Sequence, residues 1–249
     1  MKTKKDRIEL NDISVSLVIP TRNEEDIIGK NLKEIYNYVK GIDCIHRFEL
    51  IVSDYSQDST PQIVEKISES YKEIRLVKAQ RKGIGAGLKC GIKAARNEII
   101  MIYPIDMSWE LEVIAHSIML IVENKADFVL GSRGHKESTV VRPFSREVFS
   151  KLYNLLVKIF FGLDLSDTQC TLCFQKSKAL TFLDDVSSDD AFYQTEILLY
   201  ARRHNLRIKE IPVVVNDMRV ASSNINPISE GIRMLKSLLT VRSQMKRRR

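Results

Sequence analysis

Ile100-Met-Ile-Tyr-Pro-Ile-Asp-Met-Ser-Trp109 is the stretch that decides how this chain is read. An apolar run ends abruptly in one carboxylate, Asp106, with a hydroxyl two places on at Ser108. Runs of this kind are buried strands that deliver polar side chains to their C-terminal edge. In open α/β sheets that edge is where ligands bind. A carboxylate there can hold a divalent cation against a phosphate group.

Working outward, the same strand-then-polar pattern recurs. Val15–Pro20 reads as a first strand and Glu24–Lys40 as a helix with Ile27, Ile28, Leu32, Ile35 and Val39 on one stripe. Arg47–Ser53 is a second strand. Asp58-Ser-Thr-Pro61 then supplies a capping residue and a first-turn proline for a helix over Pro61–Ser70. Ile74–Lys78, Glu98–Tyr103 and Asp127–Gly131 are further strands, separated by helices over Gly83–Arg96 and Glu110–Glu123. This alternation predicts a largely parallel, doubly wound sheet. Beyond residue 140 the expected elements are a long amphipathic helix (Arg142–Phe161), a strand (Gln169–Gln175), a helix (Asp190–His204), a strand (Arg207–Val215) and a last helix (Pro227–Arg242). No linker divides the chain, so one domain is expected, with its core over about 13–216 and a C-terminal loop and helix over 217–249.

Composition sets the outer bounds. The chain has 249 residues, 44% hydrophobic and 29% charged, the balance of an ordinary globular protein. No apolar stretch approaches the roughly 20 residues of a membrane span, and the N-terminal arm Met1–Arg7 is polar, unlike a signal peptide. Cys44, Cys90, Cys170 and Cys173 form no disulfide framework, and a lone CxxC without a second pair argues against zinc. The net charge is +7, and Lys246-Arg-Arg-Arg249 is either a solvated end or an anion-binding tail. No basic face is interleaved with aromatics, so nucleic acid is not an expected partner. His46, His116, His135 and His204 show neither ligand nor triad spacing.

Polar groups therefore gather at the ends of strands one, two and four: Pro20-Thr-Arg-Asn-Glu24, Ser53-Asp-Tyr-Ser-Gln-Asp58, and the turn around Asp106. With Lys82-Gly-Ile-Gly-Ala-Gly87, Gly131-Ser-Arg133, Asp167-Thr-Gln-Cys170 and Glu230-Gly-Ile-Arg-Met-Leu235, they occur in an order that resembles the inverting glycosyltransferases of family 2. The resemblance runs from about Val15 to Arg242 and is greatest to the dolichyl-phosphate mannose synthase branch and its polyprenyl-phosphate hexosyltransferase relatives.

The resemblance implies a GT-A fold, a mostly parallel sheet flanked by helices. It implies transfer of a hexose from a nucleotide sugar (GDP-mannose or UDP-glucose) to a polyprenyl phosphate, with inversion. Pro20, Arg22, Glu24 and Asp54 match positions that grip the nucleoside, and Gln169 and Arg219 match positions near the donor. Asp106 matches a ligand of Mg2+ or Mn2+, and Ser108 falls where a glutamine ligand often stands. Arg133, Arg146 and Ser150 match the groups that hold the acceptor phosphate, a chemistry suited to guanidinium forks. Glu196 matches a further acidic position.

Departures are equally plain. Ser53 replaces the first aspartate of a pair, and Pro104 replaces the first aspartate of the D-x-D segment. The loop Arg219–Ser223 lacks the family's glycines and lysine. The glycines of Gly83–Gly87 serve close packing rather than a phosphate cradle, since no P-loop Lys-Ser pair follows. Many relatives carry membrane helices after the catalytic domain. This chain resembles the short branch that sits peripherally on the cytoplasmic membrane face, either directly or through a membrane-anchoring partner. The two amphipathic helices, with Phe160 and Phe161, are the expected contact with lipid, against intramolecular packing as the alternative. Competing functions are a family 2 transferase with a hydroxyl acceptor, which needs a general base, and a catalytically weak membrane-surface scaffold.

Overall fold

The computed structural model describes residues 13–216 and 227–247. The first half alternates as expected: β1 (Ile13–Thr21), α1 (Glu25–Lys40), β2 (Ile45–Asp54), α2 (Thr60–Ser70), β3 (Ile74–Lys78), α3 (Ile84–Ala94), β4 (Ile99–Ile102), α4 (Glu112–Val122) and β5 (Phe128–Gly131). The second half adds β6 (Thr139–Val141), α5 (Phe144–Phe161), β7 (Thr171–Gln175), α6 (Lys176–Ala179), α7 (Phe192–Arg203), β8 (Ile208–Ile211), β9 (Val214–Asn216) and α8 (Pro227–Arg247).

The main sheet has seven strands in the order β3-β2-β1-β4-β7-β5-β8. Only β7 runs against its neighbours, β4 and β5; the other pairings are parallel. The C-terminal ends of β1, β2, β4 and β5 therefore open on one edge, and the antiparallel β7 begins there. Strands buried on both faces must be apolar throughout, and β4 is: Ile99 to Ile102 are all buried. One contiguous hydrophobic cluster runs from Ile13 to Val241, including the stacked rings of Phe128 and Phe174, whose centroids are 5.0 Å apart.

Three expectations need correction. The segment Arg207–Val215 is two strands, not one: β8 joins the main sheet, whereas β9 pairs with β6 in a separate two-stranded sheet that the sequence reading omits altogether. Pro212 sits between them, and a residue without an N–H cannot extend a ladder. The long helix starts at Phe144, so Arg142 and Pro143 precede it. Phe160 and Phe161 also turn inward: the Arg242 guanidinium lies 4.5 Å from the Phe160 ring, and Phe161 packs 6.2 Å from Phe192. The exposed apolar side chains of α5 are instead Phe144, Val148, Phe149, Leu152, Leu155 and Ile159.

At the opposite edge from the candidate site, Asp127 is buried just before β5. It accepts hydrogen bonds from Lys178 Nζ and from the Arg207 backbone N–H (2.7 Å), Nε (3.1 Å) and Nη2 (3.0 Å). Burial alone would raise this carboxyl, but Arg207 and Lys178 outweigh it and hold it far below the ordinary range. A depressed folded-state pKa adds stability above the unfolded value of about 3.9 and loses it as pH falls. Asp127→Asn is expected to lower unfolding free energy by about 3 kcal/mol at pH 7, because two cations lose their partner. In denaturant melts from pH 7 to 2.5, the gap from wild type begins to narrow as the pH drops below about 4.

Candidate active site

The loops after β1 and β2 are zipped together by their own polar side chains. Thr21 Oγ1 donates to Asp54 Oδ1 (2.8 Å), and Asp54 also accepts from the Ser56 hydroxyl (2.5 Å) and amide (3.0 Å). The Asn23 amide donates to Ser56 Oγ, the Gln57 amide to Asn23 Oδ1, and the Glu24 amide to Thr60 Oγ1. Backbone donors that leave a strand lack ladder partners, and hydroxyl and amide oxygens of the neighbouring loop satisfy them. Asn23 takes a positive φ of 57° at this corner. Pro20 pairs with Ser53 one residue before the end of β1, and Arg22, just past that end, is exposed. Ser53, in place of a carboxylate, is buried and donates to the Gly87 carbonyl at 2.6 Å.

Asp106 lies on a tight turn after β4. Its Oδ1 accepts the Ser108 amide at 3.0 Å, and Met107 has a positive φ of 51°. Asp106 thus caps its own turn, not the helix that begins at Glu112. Two buried groups fix the turn from behind: Asn31 Nδ2 donates to the Ile105 carbonyl (2.9 Å), and the Tyr103 hydroxyl donates to the Trp109 carbonyl. Asn31 escapes sequence reading because it looks like a polar interruption of an apolar helix face. Ser108 is nearly buried, and its carbonyl accepts the Asn216 amide at 2.8 Å. With Met107, Trp109 and Asn216 it borders a cleft of about 300 Å3.

Glu24 stands out electrostatically. Burial, then the charge of Asp106, then that of Asp58 raise its carboxyl from 4.5 to about 7. Carboxylates crowded in this way are a donor set that positive charge suits. Among the described residues no group of three or more His, Cys, Asp or Glu could hold a metal ion by itself. Asp106 is the carboxylate of this turn that would hold a cation, with Pro104 contributing no side-chain ligand.

A second polar region centres on Arg133. Its Nε and Nη2 donate to the two Asp167 oxygens at 2.7 and 3.1 Å, and Nη2 donates to the Gln169 carbonyl at 2.6 Å. The Asp167 carboxylate is buried, which alone would raise it, but the Arg133 charge and hydrogen bonds bring it below the usual range. The Arg133 guanidinium also lies 5.5 Å from the Trp109 ring, so it rests on the turn that carries Asp106. A cleft of about 330 Å3 is lined by Arg133, Arg142, Ser150, Lys151, Asn154 and Asp167, among others. Arg146, predicted from the Arg-x-x-x-Ser spacing, is not among its lining residues.

Several other expectations can be placed. The Gln169 side chain donates to the Ala191 carbonyl (3.2 Å) and approaches Met234 Sδ (3.6 Å), so it faces the C-terminal helices. Glu196 is buried and accepts the amides of Ser187 and Ser188, holding the loop before α7. A Cβ at Gly83, where φ is 135°, would strike the Asp189 carbonyl, and one at Gly85 would come within 2.6 Å of the Asp190 carbonyl. Close packing explains these glycines, as expected, though the neighbour is the 189–190 turn. Cys170 and Cys173 are buried free thiols. Arg219, the loop to Ser223 and the last two arginines lie outside the described residues.

Comparison with known proteins bears on this geometry. The model of the family described as "Glycosyl transferase family 2" matches residues 16–183. The chain is 29% identical over 204 residues to glycosyltransferase AglD of Haloferax volcanii, covering 81% of this chain and 33% of that protein. It is 26% identical over 250 residues to a dolichyl-phosphate beta-glucosyltransferase of Dictyostelium discoideum, covering 94% and 75%. The Saccharomyces cerevisiae protein of the same name is 27% identical over 252 residues, covering 93% and 75%. The chain spans only about a third of AglD. The fold matches that of glucosyl-3-phosphoglycerate synthase from Mycobacterium tuberculosis, with a TM-score of 0.66 at 15% identity over 93% of this chain and 80% of that one. A seven-stranded sheet with β7 reversed, polar loops on one edge, and a family model spanning 16–183 lead to one statement: the chain belongs to glycosyl transferase family 2.

Proposed function

We propose that this protein transfers a hexose, with inversion, from a nucleotide diphosphate sugar to a polyprenyl phosphate of the dolichyl type. Glucose from UDP-glucose is favoured over mannose, because relatives aligned over more than nine-tenths of this chain are named dolichyl-phosphate beta-glucosyltransferases. The observation that carries the reading is the meeting of two phosphate-suited regions on one sheet edge. The carboxylate turn of Asp106 and the cationic cleft around Arg133 are joined through Trp109.

The chemistry follows from that arrangement. The acceptor is already an anion near neutral pH, since the second pKa of a phosphomonoester is about 6. Its oxygen attacks the anomeric carbon as the bond to the nucleoside diphosphate breaks, and the bonding pair leaves with the diphosphate. Arg133, braced by Asp167, and Ser150 orient the acceptor, and alignment of this sort supplies much of the rate. Pro20, Arg22, Glu24 and Asp54 line the nucleoside side. Asp106 would hold a divalent cation, which would supply charge stabilisation for the leaving diphosphate. The chain acts as one catalytic unit, since its apolar cluster is continuous from Ile13 to Val241. A binding-only scaffold is the second reading, favoured by Pro104 and by the buried, engaged Ser53.

Purified protein with Mn2+, dolichyl phosphate and radiolabelled UDP-glucose or GDP-mannose is expected to move label into the lipid phase. Asp106→Asn should cut kcat/KM on the order of 100-fold and weaken Mn2+ binding followed by electron paramagnetic resonance. Nucleotide binding without transfer would instead favour the scaffold.

Access to a lipid substrate requires a seat at the membrane, which we place on the cytoplasmic face. No helix among the described residues is long and apolar enough to cross a bilayer. The outward face of α5 carries Phe144 at 78% and Ile159 at 66% exposure, with Phe149 and Leu152 between them, beside Lys151 and Lys158. Apolar residues flanked by lysines suit an anionic bilayer surface. Replacing Phe149 and Leu152 together by Asp is expected to abolish co-sedimentation with vesicles containing phosphatidylserine while leaving the melting temperature within a few degrees of wild type. Unchanged sedimentation would exclude this face.

A further inference from the structure

We infer that Asn154 is a positioning residue of the acceptor cleft: its side-chain amide grips the residues on either side of Asp167 and so sets how far Ser150 stands from the Arg133–Asp167 pair. The inference rests on the polyprenyl-phosphate reading above. Asn154 Nδ2 donates to the Ser166 carbonyl at 2.8 Å, and Asn154 Oδ1 accepts from Thr168 Oγ1 at 3.3 Å. The residue between them, Asp167, holds Arg133 Nε at 2.7 Å. One amide on α5 is thus fastened to both flanks of the carboxylate that fixes Arg133, and Asn154, Ser150, Ser166, Asp167 and Arg133 line the same cleft.

The grip matters because the core holds this helix lightly. Of the 18 residues of α5, only Val157 is buried. Apolar contact is non-directional, so a helix seated mainly through half-buried side chains can slide or roll slightly at little cost. Two hydrogen bonds of opposite sense at one amide are directional and oppose that movement. Ser150 lies one turn back on the same side of the helix, so its hydroxyl moves with Asn154. Its placement against Arg133 is therefore fixed at Asn154.

The orientation of the amide is itself imposed, by a chain of hydroxyls that begins and ends on α5. Asn154 Oδ1 only accepts, so the single hydrogen of the Thr168 hydroxyl is directed to it. Thr168 Oγ1 then accepts from Thr195 Oγ1 of α7 at 3.0 Å, and Thr195 Oγ1 accepts from the Tyr153 hydroxyl at 2.7 Å. Burial raises the Tyr153 phenol above its ordinary pKa, so it keeps the proton that starts the chain. Thr168 and Thr195 are buried, where an unmade hydrogen bond is costly and a chain of made ones is mutually reinforcing. A flipped amide would set its oxygen against the Ser166 carbonyl and its N–H against the Thr168 hydrogen. The chain therefore ties α5, α7 and the loop before β7 into one arrangement, with Asn154 as its end in the cleft.

The sole tryptophan of the chain, Trp109, lies beside Arg133 and serves as the probe. Farnesyl phosphate, a soluble prenyl monophosphate, is titrated into the full chain while Trp109 fluorescence is followed, with farnesol as the phosphate-free control. Asn154→Leu, close in volume and unable to make either bond, is expected to weaken farnesyl phosphate binding about tenfold and to leave farnesol binding unchanged. Thr195→Val cuts the chain at a buried point outside the cleft and should weaken it about threefold; Tyr153→Phe makes the same cut should the valine variant fold poorly. Arg202→Ala removes a different tie of the same helix, from Arg202 Nη1 to the Gly162 carbonyl at its end, and should stay within about twofold of wild type. The inference is overturned by wild-type affinity in Asn154→Leu, by an equal loss for farnesol, or by an equal loss in Arg202→Ala. A loss confined to Asn154→Leu, with Thr195→Val and Tyr153→Phe unchanged, would make Asn154 a direct ligand and overturn the positioning role. Wild-type protein that ignores farnesyl phosphate would refute the polyprenyl-phosphate reading and this inference with it. Wild-type protein that binds it, with the expected losses in the variants, yet transfers no hexose would refute the proposed reaction and leave this inference standing.

Discussion

The ion pair between Arg133 and Asp167 is the constraint on which the site depends. Asp167 is buried, and an isolated carboxylate there would cost several kcal/mol. It is tolerated because it accepts from the Arg133 side chain and from the amides of Arg133 and Gln169. Those groups come from the loop after β5 and the loop before β7, the reversed strand between β4 and β5. The pair therefore sets the distance between the loop leaving β5 and the loop entering β7. Glu210 of β8 reinforces the second loop, accepting from the Ser166 and Asp167 amides. Removing either member of the pair would leave an unbalanced buried charge, so the cleft and the fold around it would fail together.

The small sheet completes the join. Val213 to Asn216 passes between the acceptor loop and the Asp106 turn and bonds to both. On one side the Thr139 amide donates to the Val213 carbonyl and the Val213 amide to Ser138 Oγ. On the other, the Glu110 amide donates to the Val214 carbonyl and the Asn216 amide to the Ser108 carbonyl. Four residues of chain thus tie the loop that carries Arg133 to the turn that carries Asp106. A transfer between two phosphorylated molecules needs such a tie, because an error of an ångström between nucleophile and anomeric carbon is costly in rate.

Strand ends were legible in the sequence because apolar runs stop where burial stops: Asp54, Asp106 and Arg133 all follow such a stop. The strap was not, because β6 is three residues long and mostly exposed, leaving no alternation to read. Pro212 was the available signal, a break that a continuous strand does not tolerate. Arg142 was hidden for another reason. Spacing rules count along an ideal helix and give no weight to a residue stationed before its first turn. Phe160 and Phe161 were misplaced because α5 has two apolar stripes, and periodicity does not say which of them α7 and α8 will cover. Asn31 and Glu24 belong to a third kind, residues whose meaning depends on a neighbour distant in sequence.

The donor and acceptor halves differ in what they demand of the protein, and this bears on Pro104. A hydroxyl acceptor needs a base near it, whereas the cleft is lined by guanidinium, ammonium and hydroxyl groups, with both carboxylates already engaged by cations. That lining suits an acceptor which brings its own negative charge. The leaving diphosphate makes the opposite demand, for positive charge where the fold supplies carboxylates. Burial, and then the charge of Asp106, raise the cost of ionising Glu24 to a pKa of about 7, and the fold accepts that cost at the edge where ligands arrive. With proline in place of one aspartate, fewer protein oxygens remain to hold a cation. A cation at Asp106 would then depend on the diphosphate's own oxygens for a larger share of its ligands.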